Sequence, residues 1–267
     1  MANTQDFNGK WALVTGASAG IGAALARELA RHGAKLILTA RRKDRLEVLA
    51  AELTAKGTEV RIVTADLNDP AAPQQIYDST EGAGIAVDIL VNNAGLGQFG
   101  SFAESEMAQE MSQVRVNCEA VARLTRLFVP RMVERRRGWV MVVASLAAYV
   151  PMPYLSTYAA TKAFDRSFAL GLAGEVARFG IKVTALCPGP TESEFSQVAR
   201  SGGRRRGGSA QTAEEVARLG VAALARGQRT MIPYFGGKFT ALLVRFLPAG
   251  LITYFIEKGA RPETHSA

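Results

Sequence analysis

The run Trp11-Ala-Leu-Val-Thr15-Gly16-Ala-Ser18-Ala-Gly20-Ile21-Gly22 decides the fold. Trp11 to Thr15 reads as a strand, and it leads directly into a loop with three glycines. Ile21 to His32 then reads as a helix closed by Gly33. Glycines in such a loop permit a tight turn and let the backbone approach a phosphate without Cβ clashes. The helix N-terminus adds unsatisfied N–H groups and the positive end of its dipole. Three glycines alone are a weak signal, because ordinary turns use them too. The strand before and the helix after supply the context that an anion-binding reading requires.

Outward from this unit the same alternation continues. Further strands are predicted over Lys35–Ala40, Val60–Ala65, Ile89–Asn92, Val140–Ala144, Ile181–Leu186 and Thr230–Pro233. Helices are predicted over Asp44–Lys56, from Pro70, over Val114–Arg135 with an interruption at Pro130, over Ser156–Phe179 and over Val216–Arg226. Strands that read as continuous apolar runs belong to parallel sheets covered on both faces. Their alternation with helices implies right-handed βαβ crossovers. The expectation is an α/β fold: a Rossmann-type, doubly wound, mostly parallel seven-stranded sheet flanked by helices. No internal repeat or linker divides the 267 residues, so a single domain over 1–267 is expected.

Composition excludes several classes. A hydrophobic share of 48% and a charged share of 21% are those of a globular chain, not of a disordered or collagen-like one. The net charge of +8 suits an anionic cofactor or substrate. No nucleic-acid-binding signature accompanies it, so no nucleic-acid partner is expected. Cys118 and Cys187 have no Cys-x-x-Cys or Cys/His company and read as small core residues in a reducing compartment. His32 and His265 are too isolated for a histidine-built metal site, and no metal is expected. Met1 to Lys10 lacks the apolar core of a signal peptide, which gives a cytoplasmic expectation.

The end of the second strand discriminates between dinucleotides. A carboxylate there would bind the adenosine ribose 2′-OH and repel a 2′-phosphate. This chain instead has Ala40-Arg41-Arg42-Lys43, whose guanidinium forks bind phosphate bidentately. A basic helix start is disfavoured by the dipole, so the cluster asks for another cause. NADP(H) is therefore expected over NAD(H). After the third strand, Asp66 either accepts from the adenine amino group or caps a helix.

The long helix carries Tyr158-Ala-Ala-Thr-Lys162, which puts a phenol and an ammonium on one helix face. A nearby cation favours the phenolate, as a proton donor and acceptor for an alcohol–carbonyl pair requires. Ser145 closes the fifth strand, Asn92-Asn93-Ala94-Gly95 the fourth and Pro188-Gly189-Pro190 the sixth. All lie at the C-terminal sheet edge, where such folds bind ligands. Asn117 follows a small apolar stretch and needs a partner if buried.

The set Thr15–Gly22, Asn92–Gly95, Asn117, Ser145, Tyr158–Lys162 and Pro188–Pro190 resembles the short-chain dehydrogenase/reductase family. The resemblance extends from about Asn8 to Pro233. It implies that Tyr158 is the general acid or base, and that Lys162 supports it and binds the nicotinamide ribose. Ser145 would orient the substrate oxygen, and Asn117 would hold a water in a relay with Lys162. Gly16, Ser18, Gly20, Ile21 and Gly22 would line the pyrophosphate, and Asp66, Asn93, Ala94 and Gly95 the adenosine side. Pro188 and Gly189 would flank the nicotinamide, with Thr191 or Ser193 on its carboxamide. The resemblance also implies a homodimer or homotetramer through the long helices.

Two departures from the family pattern stand out. Ala19 occupies a position where many NADP-using relatives have a cation, which leaves the 2′-phosphate to Arg41 and Arg42 with help from Ser18. Ser193 stands where threonine is common and keeps the hydroxyl.

The implied reaction is hydride transfer between NADP(H) and a ketone, aldehyde or secondary alcohol of apolar character. A non-catalytic NADP(H)-binding sensor or scaffold is the alternative; the presence of both Tyr158 and Lys162 counts against it. Tyr149, Val150, Met152, Tyr154 and Leu155 either wall the pocket or simply pack. By resemblance, residues 194–211 form a mobile substrate lid. Its Arg204-Arg205-Arg206 either attracts an anionic substrate or is solvated. The apolar C-terminal extension, 238–267, is interrupted by Pro248 and Gly250 and is too broken to span a bilayer. It is expected to form short helices packed on the core or on a neighbouring subunit. The alternatives are a lipophilic substrate wall or a membrane-surface contact.

Overall fold

The computed structural model describes residues 4–191, 211–233, 235–244 and 246–261. In chain order the elements are β1 (Trp11–Thr15), α1 (Gly20–Arg31), β2 (Lys35–Ala40), α2 (Lys43–Thr54), β3 (Val60–Thr64), α3 (Ala72–Asp78), β4 (Val87–Asn92) and α4 (Met107–Val114). There follow α5 (Ala120–Glu134), β5 (Gly138–Val143), α6 (Ser156–Val176), β6 (Ile181–Leu186), α7 (Ala213–Arg226), β7 (Thr230–Met231), α8 (Phe235–Leu243) and α9 (Ala249–Ala260).

The strands form one seven-stranded sheet in the order β3-β2-β1-β4-β5-β6-β7, parallel throughout. This is the expected Rossmann-type sheet. The chain winds outward from β1 to β3, then returns to place β4 on the other side of β1. That reversal opens a crevice at the C-terminal ends of β1 and β4, where ligands of such sheets bind.

Side chains alternate across the sheet with period two. Val14, Leu36, Leu38, Val91 and Met141 pack on the face covered by α1, α2 and α7. Leu13, Ile37, Leu90, Val140 and Val142 pack on the opposite face with Leu124, Phe128 and Ala169 of α5 and α6. Leu13 pairs with Ile37 on one side and Leu90 on the other, so the central layer is apolar in both directions.

Several boundaries differ from the sequence reading. The helix expected from Val114 already begins at Met107, and it widens into a π turn over Arg115–Glu119 before α5. Pro130 does not interrupt it: α5 runs through to Glu134. A mid-helix proline costs about 3 kcal/mol. Burial of Leu124, Phe128, Val129 and Met132 around Pro130 offsets that cost. Pro70 lies ahead of α3 instead of opening it; Pro73 occupies the first turn. β4 starts at Val87 because buried Asp88, polar in sequence, is paired with Arg135 at 3.5 Å and Arg137 at 3.3 Å. The seventh strand is only two residues long.

Candidate active site

The glycine loop is tied to β4 by a closed set of hydrogen bonds. Thr15 Oγ1 donates to the Val91 carbonyl at 3.2 Å and accepts from the amides of Asn93 at 2.9 Å and Ala94 at 3.0 Å. Asn93 Nδ2 donates back to the Thr15 carbonyl at 2.8 Å and the Gly16 carbonyl at 3.3 Å. Gly16 has φ +65°, and a Cβ there would stand 2.9 Å from Ala94 Cα. A Cβ at Gly22 would run into the Gly16 carbonyl oxygen and Asn93 Nδ2. The glycines are thus demanded by close approach of two backbone segments. The N-cap of α1, Ala19, makes no side-chain hydrogen bond, so the first-turn amides of Gly20, Ile21 and Gly22 keep the unsatisfied donors that suit a phosphate.

Beside this loop, exposed Arg41 and Arg42 follow β2, and Arg42 Nη2 donates to Ser18 Oγ at 3.1 Å. The structure therefore brings Arg42, one of the two cations expected at a 2′-phosphate, to the loop. Asp66 follows β3 at the same edge, exposed, with Oδ1 accepting from the Asn68 amide at 3.0 Å. It shapes a turn and does not cap α3; Asp69 accepts from the Ala71 amide just before that helix.

Across the crevice, α6 presents half-buried Tyr158 and buried Lys162. The Lys162 ammonium lies 6.0 Å from the centre of the Tyr158 ring. It donates to the Val143 carbonyl at 2.8 Å and to Asp165 Oδ2 at 2.9 Å. The Lys162 and Asp165 side chains are only 5% and 1% exposed. Burial disfavours the ammonium, but the Asp165 carboxylate and the Tyr158 phenol outweigh it and hold its pKa above the ordinary lysine value. Burial also pushes the Asp165 carboxyl up, against the pull of Lys162. Asp165 went unnoticed in the sequence. The available signal was an acid three residues beyond Lys162, on a helix otherwise rich in alanine and aromatics.

Asn117 sits in the π turn, fully buried. Its Nδ2 donates to the Leu96 carbonyl and to Thr161 Oγ1, both at 2.8 Å, and its Oδ1 accepts from the Leu96 amide at 2.8 Å. The amide therefore locks the segment after Gly95 to α6. A Cβ on Gly95 would stand 3.4 Å from Lys162 Nζ and 3.5 Å from Asn117 Oδ1, so Gly95 backs directly onto both polar side chains.

Ser145 follows β5, and its Oγ accepts from the Ala147 amide at 3.1 Å. Among the described residues its own proton has no acceptor. After β6, the Pro188 carbonyl accepts from the Leu146 amide at 2.8 Å, which sets the two strand ends side by side. Thr191 Oγ1 donates to the Gly189 carbonyl at 3.0 Å, and Thr191 pairs with Gln211 in an isolated bridge. Ser193 and most of the proposed lid, 194–211, lie outside the described residues.

Tyr149, Val150, Met152, Tyr154 and Leu155 are half-buried between Ser145 and Tyr158. Tyr154 takes φ +64°, packs on Phe99 with ring centres 5.9 Å apart, and donates to Glu257 Oε1 of α9 at 3.1 Å. Tyr149 carries the Arg166 guanidinium over its ring at 4.4 Å and contacts Cys187. Burial pushes the thiols of Cys187 and Cys118 up to about 11. Among the described residues no group of three His, Cys, Asp or Glu side chains is placed to hold a metal ion.

Residues 10–203 match the short chain dehydrogenase family. The chain is 34% identical over 203 residues to a very-long-chain 3-oxoacyl-CoA reductase of Anas platyrhynchos, which covers 72% of this chain and 63% of that relative. It thus spans less than two thirds of that relative's length. It is 38% identical over 196 residues to oxidoreductase UcpA of Salmonella typhimurium, covering 73% of this chain and 74% of the relative. Among solved structures, a short-chain dehydrogenase from Sphingobium yanoikuyae in complex with NADPH superposes with a TM-score of 0.80 at 30% identity, over 97% of this chain and 98% of that one.

Proposed function

The chain belongs to the short-chain dehydrogenase/reductase family; from that premise we propose that it is an oxidoreductase that transfers a hydride between NADP(H) and an apolar ketone, aldehyde or secondary alcohol. The observation that carries the reading is the buried Lys162 ammonium, anchored by Val143 and Asp165 beside Tyr158 at the ligand-binding edge of the sheet.

The residues present fit a dinucleotide. Uncapped amides of α1 and the glycines at 16, 20 and 22 suit the pyrophosphate, with Ser18 and Ile21 beside it. Arg41 and Arg42 suit a 2′-phosphate, which supports NADP(H) over NAD(H). Asp66 and the backbone of Asn93, Ala94 and Gly95 would line the adenosine side; the Asn93 side chain is occupied in bracing the loop. Pro188, Gly189, Thr191 and Ser193 would flank the nicotinamide, which when bound supplies or accepts the hydride.

Tyr158 gives its phenolic proton to the carbonyl oxygen in reduction and recovers it in oxidation. Lys162, kept charged by Asp165, holds its ammonium 6.0 Å from the centre of the Tyr158 ring. Ser145 holds its oxygen in place through the Ala147 amide and donates its proton to the substrate oxygen. A water beside Lys162 and Asn117 would relay a proton from solvent back to the Tyr158 oxygen after reduction, and in the opposite direction during oxidation. Asp165 is a positioning residue: it acts through Lys162.

The wall from Tyr149 to Leu155, with Phe99, supports an apolar substrate. Because the Anas platyrhynchos relative is named for 3-oxoacyl-CoA, a 3-oxoacyl thioester belongs on the substrate panel beside simple ketones. Exposed Phe102, Met107, Met111 and Val114 border a cavity of about 520 Å³ beside α4 and α6. This face supports self-association into a homodimer or homotetramer. Two free cysteines support a reducing, cytoplasmic location, and no described helix is long and apolar enough to cross a membrane.

The test is NADPH oxidation across that panel, with NADH and Tyr158→Phe run in parallel. Tyr158→Phe should keep NADPH binding and lower turnover by about 10²- to 10⁴-fold. Unchanged turnover in the variant would overturn the assigned mechanism.

A further inference from the structure

Helices α8 and α9 are inside out. On α8 the inward positions are Gly237 and Ala241, both buried, whereas Phe239, Leu242 and Leu243 form an i, i+3, i+4 stripe turned to solvent. Leu251, Tyr254 and Phe255 repeat that spacing on α9, again outward. Phe246 and Leu247 continue the apolar surface across the connection, with Phe246 79% exposed. A helix that merely packs on a core places its large apolar residues inward. A contiguous outward apolar surface of this kind marks an interaction site.

We propose that α8 and α9 dock the protein, without crossing, onto the surface of a membrane containing anionic phospholipid. The charge of the segment selects this occupant. Residues 235–261 carry Lys238, Arg245, Lys258 and Arg261 against one acid, Glu257. That acid is neutralised by Arg261 at 2.8 Å and accepts from Tyr154. Lys238 and Lys258 are exposed beside the apolar stripes. An anionic surface pairs with these cations, whereas a second copy meeting this face would bring like charges together in a chain of net charge +8. Apolar side chains flanked by lysine and arginine are the arrangement of interfacial helices, and no described helix is long and apolar enough to span.

Docking would also orient the site. Tyr154, on the wall between Ser145 and Tyr158, is hydrogen-bonded to Glu257 of α9. The lipid-facing element is therefore joined directly to the substrate wall, and an apolar substrate could pass from the bilayer without crossing bulk water.

The experiment is flotation of the full chain with phosphatidylcholine–phosphatidylglycerol vesicles, pure phosphatidylcholine vesicles and no vesicles. It needs no turnover, so its failure is distinguishable from failure of the hydride-transfer reading. Wild type should float with the anionic vesicles and much less with the neutral ones. Phe239→Ser, Phe246→Ser and Phe255→Ser combined should lower the partition roughly tenfold or more with an unchanged circular dichroism spectrum. Lys238→Glu with Lys258→Glu should abolish the preference for anionic lipid. Absence of flotation with either vesicle overturns the proposal. So does equal partition of the serine variant, or a loss of self-association in that variant with no lipid binding by wild type.

Discussion

At the junction of β1 and β4 the polar groups are turned inward and satisfy one another, while α8 and α9 turn their largest apolar groups outward with nothing among the described residues to cover them. Thr15, Asn93 and the Thr15 and Gly16 carbonyls close a loop of hydrogen bonds with spacings of 2.8–3.3 Å. Phe239, Leu242, Phe246 and Phe255 are 57–79% exposed. The first region is built to hold its shape whether or not a ligand is present. In the second, shape is cheap and the surface itself is the product. Sites of chemistry need fixed geometry, and fixed geometry needs buried, satisfied polar groups. Docking surfaces need only display.

That contrast can be broken at its rigid end first. Asp165→Asn removes the anion behind Lys162 and leaves a buried ammonium, which should destabilise the protein by about 3–5 kcal/mol in urea unfolding. It should also lower kcat more than KM, because the ammonium would no longer be held beside Tyr158. An unchanged kcat would mean that the Val143 carbonyl alone fixes Lys162. Next, Gly22→Ala forces a methyl into the Gly16 carbonyl and Asn93. About 1–3 kcal/mol of stability should go, with NADPH affinity, as measured by fluorescence titration. Normal affinity would show that the β1–β4 junction yields more easily than its packing implies.

Replacing Arg41 and Arg42 by Ala sharpens the contrast without touching the junction. Each lost charge-assisted hydrogen bond is worth about 1.5–3 kcal/mol, so NADPH should weaken at least roughly tenfold while NADH changes little. Equal loss for both would place the 2′-phosphate elsewhere. The smallest effect belongs to the outward region. Leu251→Ser should alter the unfolding free energy by no more than about 0.5 kcal/mol, because the side chain is not packed on the core. A large loss would show that α9 stabilises the fold instead of displaying a surface.

Legibility followed the same divide. The sheet edge could be read because each residue type there meets a local demand: glycine at φ +65°, arginines after β2, a serine capping the turn after β5. Met107–Val114 escaped notice because its pattern is mixed and mostly exposed, and Pro130 misled because burial of neighbouring residues overrode a local breaker. Asp165 reads as an ordinary surface acid until α6 is seen pressed against β5, with Val143 and Lys162 at its side. Asn117 was singled out as a buried amide needing partners, but those partners, Leu96 and Thr161, are 21 and 44 residues away.

The sequence by itself determined the parallel sheet, its alternation of strand and helix and the edge that carries Tyr158, Lys162, Ser145 and the glycine loop. These follow from hydrophobic periodicity and from conformational demands that single residues meet locally. Only the tertiary structure decided that Asn93 is a brace and Asn117 a lock, that Asp165 stands behind Lys162, and that the apolar faces of α8 and α9 look outward. Those outcomes depend on which distant surfaces come together, because a polar group's role is set by the partner that satisfies it and an apolar stripe's role by the side left uncovered.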